Sequence, residues 1–166
     1  MAELTNLESK LGEVVGLAMA AQEAGQKVAK LAKEEGNDEL VGTLERMRKQ
    51  AKETEERGTE VASAFEGKKT AILDEAREVK GKAQQMMKTY LDEASDTLDG
   101  FEFLTMAEAG EVGHWEILGT LNERARNSEV SQLVGWALPI QKQHLETVRS
   151  TSLQLAAEEN PNEASE

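Results

Sequence analysis

Only two histidines occur in this chain, and each follows a polar residue by three positions: Glu111 with His114, and Gln141 with His144. Neutral imidazoles and a carboxylate suit iron, manganese or zinc, and an amide oxygen is a weaker ligand. On a helix, a spacing of i to i+3 puts both side chains of a pair on one face, about one turn apart. Without a metal, a coupled pair of imidazoles would instead titrate near neutral pH. Glu108 and Glu116 flank the first pair as extra ligands or supports, although a solvated face is the ordinary place for such residues.

Both pairs fall on segments of helical periodicity. The first is a helix starting around Leu98 to Phe101 and ending near Arg126, with its seam at Leu104, Ala107, Glu111, His114, Leu118, Leu121 and Ala125. Asn127 and Ser128 make a short turn and cap. The next helix carries Val130, Val134, Ala137, Gln141, His144, Val148, Thr151 and Leu155, and Pro139 is expected to kink it one turn before Gln141. Glu111, His114, Gln141 and His144 are therefore expected to converge inside an otherwise apolar bundle. Burying them unpaired would cost several kcal/mol, so they must satisfy one another, reach water or bind something. Gly110, Gly113 and Gly119 are expected to leave room there and let helices approach, since each weakens the helix by roughly 1 kcal/mol relative to Ala.

The first half of the chain supplies two more long helices. Thr5 or Asn6 can cap the first, with Glu8 in its first turn and a seam from Leu7 to Ala32, and Gly36 ends it. Asn37 and Asp38 start the second, whose seam is Leu40, Leu44, Met47, Ala51, Thr54, Gly58, Val61 and Phe65. Turns this short make antiparallel neighbours. The stretch 67–97 reads as a crossover with one or two helices, interrupted at Gly81 and long enough to run along the bundle. The turn at Asn37 resembles that at Asn127, which suggests two helical hairpins, 5–66 and 98–157, joined by the crossover. The acidic tail 158–166 contains Pro161 and is expected to fray.

Composition agrees with one all-α domain: 166 residues, few aromatics, two prolines and no cysteine, which excludes disulfides and thiolate metal sites. No apolar run approaches the roughly 20 residues of a membrane span, and residues 1–10 lack a secretory signature, so a cytoplasmic protein is expected. A net charge of −13 argues against a nucleic-acid partner, which needs a basic face. Nucleophile elbows and phosphate loops are missing from the sequence. Trp115 and Trp136 read as core or interface anchors, and Met86 and Met87 as gap fillers.

Two hairpins, a long crossover and Glu-x-x-His on an inward helix face resemble the ferritin-like superfamily of carboxylate-bridged di-metal bundles. The segment 107–120, with its His114-Trp115-Glu116 run, is similar to small bacterial ferritin-like proteins associated with stress responses. The resemblance implies a four-helix bundle and an iron, manganese or zinc site at Glu111, His114, Gln141 and His144. The family also draws a Glu from the first helix and a Glu with a His from the second. Here Glu13, Glu23 and Glu53 lie to the side of their seams, Thr54 stands on the second seam, and Gln141 replaces a Glu. The function the resemblance implies is accordingly that of a stress-related ferritin-like protein with a reduced or vestigial metal site. One alternative is a non-catalytic bundle without metal that self-associates or binds a partner. The other is a di-metal oxidase or peroxidase. Homo-oligomers are expected, with no membrane partner.

Overall fold

The computed structural model describes residues 2–165, so Met1 and the last residue of the tail, Glu166, lie outside it. The described residues form five helices and no strand: α1 (Asn6–Glu34), α2 (Asp38–Ser63), α3 (Lys69–Tyr90), α4 (Thr97–Ala125) and α5 (Ser128–Glu158).

Their ends are set by local chemistry. Thr5 caps α1 in a reciprocal box with Glu8, and Asp96 caps α4 in the same way with Asp99. The side chains of Asn37 and Asn127 accept from the amides of Leu40 and Val130, in the first turns of α2 and α5. Past α1 the backbone turns through Gly36 at φ 76°, a left-handed conformation that glycine adopts without strain. The crossover is one unbroken helix running through Gly81, not two, and α4 begins at Thr97 because of the Asp96 cap.

Contacts between elements fix the direction of each helix. Gly25 of α1 lies against Arg48 of α2, and Val15 of α1 against Gly58, so these two helices are antiparallel. α3 returns alongside α1 and parallel to it, with Gly12 against Ile72 and Gly16 against the Ala76 backbone. α4 runs back down α1, placing Gly100 at Val28 and His114 at Lys10. α5 is antiparallel to α4, with Ser152 at Thr105 (3.1 Å) and Val134 at Gly119. α2 and α4 consequently point the same way, which only a connection as long as α3 permits.

Of the three glycines expected to admit a close helix approach, only Gly119 does so, a Cβ there lying 3.3 Å from Val134. A Cβ at Gly110 or Gly113 would meet nothing within 4 Å. A Cβ at Gly12 would lie 2.7 Å from the Ile72 carbonyl oxygen, and one at Gly16 would overlap the Ala76 carbonyl. The bare faces of α1 thus seat α3. The apolar core divides into two clusters: one around Leu11, Val15, Ile72, Trp115 and Leu118, the other around Val28, Leu44, Phe101, Leu104 and Val148. No helix among the described residues is long and apolar enough to cross a membrane.

Candidate functional site

Between the two apolar clusters lies a polar layer. On α4 the buried stripe runs Phe101, Leu104, Glu108, Glu111, Trp115, Leu118 and Asn122, alternating steps of three and four. It departs from the expected seam at three places, using Glu108 for Ala107, Trp115 for His114 and Asn122 for Leu121. On α5 the stripe is Val130, Leu133, Ala137, Gln141, His144, Val148 and Thr151, close to expectation.

The shift on α4 separates the four residues expected to meet. Glu111, Gln141 and His144 are buried, at 3%, 1% and 4% exposure. The His114 side chain keeps 38% of its surface in water and turns to α1. Its Nδ1 lies 3.2 Å from the Lys10 ammonium and 3.1 Å from Glu13, which are themselves paired at 2.5 Å. The two imidazoles thus take different partners and do not form one cluster. The reason is steric and hydrophobic: one position on that face is interior, and the larger apolar surface of Trp115 takes it. Glu108, expected on a solvated face, is 4% exposed, whereas Glu116 is exposed. The signal for Glu108 is present in the sequence, since Leu104, Glu108, Glu111 and Trp115 keep the helical period as well as Leu104, Ala107, Glu111 and His114 do.

His144 is anchored by α2: its Nε2–H donates to Gln50 Oε1 at 2.7 Å, which leaves Nδ1 as the free lone pair. The nearest acid oxygen to Nδ1 is Glu108 Oε2, at 3.7 Å. That separation is within reach of an ion pair, but burial acts against charge on both groups. Burial pushes Glu108 up to about 8 and His144 down to about 4, so the proton stays on the acid and the pair is neutral at pH 7. Glu111 is raised well above the usual carboxylate range, first by burial and then by repulsion from Glu108. Glu108 Oε2, Glu111 Oε2 and both amide atoms of Gln141 are buried without a hydrogen-bond partner among the described residues. Each such group costs about 1–3 kcal/mol.

Glu108 and Glu111 also border a groove of about 210 Å³ between α1, α3 and α4. Its walls are apolar and include Leu17, Met86, Met87, Phe103 and Met106. Met86 and Met106 stand at its mouth, 48% and 39% exposed, and His114 lies on its edge. On the far side, Trp136 packs under the Arg57 guanidinium at 4.1 Å, as a surface anchor.

No family model, curated protein or solved structure matches this chain. The arrangement defines an all-α bundle with a buried acid, amide and imidazole layer. Among the described residues, no group of three or more His, Asp or Glu side chains is arranged to hold a metal ion. The donors of the layer are also poorly suited to a two-metal centre, because α1 brings no acid to it and α2 brings only Gln50 and Thr54.

Proposed function

We propose that this chain is a ferritin-like bundle with a vestigial metal site, acting as a binding protein and not as a di-metal oxidase. The order of directions supports the resemblance: α1 and α2 form one hairpin, α4 and α5 another, and α3 carries the chain the length of the bundle between them. The observation that carries the reading is the neutral polar layer. A di-metal centre needs several ionised carboxylates to offset the cations. Here two acids face an amide and an imidazole already committed to Gln50. The cytoplasmic, stress-related and self-associating character of the protein belongs to the same proposal, on the strength of the resemblance.

Elemental analysis after reconstitution with ferrous iron, manganese and zinc tests it. The expected result is no stoichiometric metal and no ferrous oxidation above the free-metal background. Near-stoichiometric metal that is lost in Glu111→Gln and His144→Ala would overturn it.

A further inference from the structure

We infer that the groove between α1, α3 and α4 binds a small arylalkylamine, its ring among Met86, Met87, Met106 and Phe103 and its ammonium against Glu108 and Glu111. The inference rests on the vestigial-site reading, because it gives the two acids an organic cation as partner in place of a metal.

Three observations point to that class of ligand. The first is size. A dry cavity of about 150 Å³ holds benzene, and this groove, at about 210 Å³, has room for one ring and a short chain. The second is the wall. Three methionine thioethers and a phenyl ring make favourable contacts with an aromatic ring, and flexible methionine adapts to its outline. The third is the buried side. Glu108 Oε2 and Glu111 Oε2 lack partners, and both residues border the groove. Those two oxygens are closed to solvent, with Glu108 Oε2 toward His144; an ammonium in the groove donates to the accessible Oε1 of each carboxyl and favours its ionised form, which a hydroxyl cannot do as well.

The surrounding charges agree. Lys10 is paired with Glu13 at the His114 edge, and Arg48, on the α2 side of Glu108, is held by Glu45 at 2.9 Å and by the Gln22 carbonyl at 3.1 Å. Neither cation is a hydrogen-bond partner of Glu108 or Glu111. A net charge of −13 further enriches cations near the surface.

The test is calorimetric titration of the full chain at pH 7 with 2-phenylethylamine, 2-phenylethanol and phenylacetate, which share a shape and differ in charge. The amine is expected to bind one per chain, the alcohol about tenfold more weakly, and the acid most weakly. Glu108→Gln and Glu111→Gln keep shape and remove the acid; each is expected to weaken the amine about tenfold and leave the alcohol unchanged. Gly110 borders the groove with open space around it, so Gly110→Leu should fold and weaken amine and alcohol alike. Equal affinity for amine and alcohol, undiminished amine binding in both Gln variants or in Gly110→Leu, or no saturable binding would each overturn the inference. So would sedimentation as a dimer that Gly110→Leu dissociates and the amine leaves intact, which assigns the groove to a second copy. Failure of the titration in protein shown to carry no metal leaves the vestigial-site reading standing; stoichiometric metal ends that reading whatever the titration shows.

Discussion

On α4, Phe101 and Leu104 lie in the turns before Glu108, and Trp115 and Leu118 in the turns after Glu111. All six occupy one stripe and meet the same neighbouring helices, yet the outer four close apolar clusters while the inner two leave oxygens without partners. α5 repeats the contrast, with Leu133 and Ala137 before Gln141 and Val148 after His144. The outer layers stabilise the bundle by removing apolar surface from water, and substitution there costs free energy in proportion to what is removed. The middle layer gains little of that and carries desolvated polar groups. A bundle selected for stability alone would fill it with leucine. Its polar character is therefore the part of the core that packing does not explain, and the part where function is to be sought.

The sharpest way to break this contrast is to empty an outer layer. Trp115→Ala removes the largest fully buried side chain, at the meeting of α4 with the first cluster. It is expected to lower stability by about 3–5 kcal/mol, read by urea unfolding. A loss under about 1 kcal/mol would show that the cluster is not packed as described and that the two kinds of layer are not distinct.

The middle layer is expected to respond to pH instead. Glu108 holds its proton to about pH 8 in the folded chain and releases it near 4.5 when unfolded. Between those values the native state binds more protons, so stability contributed by this group falls as pH rises from about 5 to 8. His144 works in the opposite sense and in a lower window. Its folded value of about 4 lies below 6.5, so its contribution is lost as pH falls from 6.5 toward 4. Glu108→Gln removes the Glu108 part of the falling limb and leaves the part contributed by Glu111, which burial also raises. The variant should gain on the parent by about 1–3 kcal/mol between pH 5 and pH 8, measured as the difference of two unfolding series. Parallel curves over that range would mean that Glu108 is already ionised in the folded chain.

How far these layers were legible in the sequence follows from what period and capping can carry. The helical class, the short turns at Asn37 and Asn127, and Gly36 as the end of α1 all rest on local signals, and the helices start and stop there. α3 was harder, because Gly81 reads as a break when only the chain itself is weighed, whereas packing against α1 carries the helix through. On α4 two stripes one residue apart fit the apolar period almost equally. The reading that kept His114 inside lost Glu108, and only the competition of Trp115 for the same space decides between them. Gln50 was out of reach of the sequence, since its role depends on where α2 passes α5.

The smallest expected effect is at the other histidine. His114 and His144 close the same i to i+3 spacing on neighbouring helices, but the first is half-buried at the rim beside Lys10 and Glu13 and the second is sealed against Gln50. A polar contact at a ring that water still reaches contributes about 1 kcal/mol or less, because water replaces part of it. His114→Ala is therefore expected to change stability by less than about 1 kcal/mol, since Lys10 and Glu13 keep each other at 2.5 Å without it. A loss of about 2 kcal/mol or more in the same unfolding assay would place this ring in the interior after all. That result would restore the seam through Ala107 and His114, and with it the meeting of two imidazoles on which a metal centre at these residues depends.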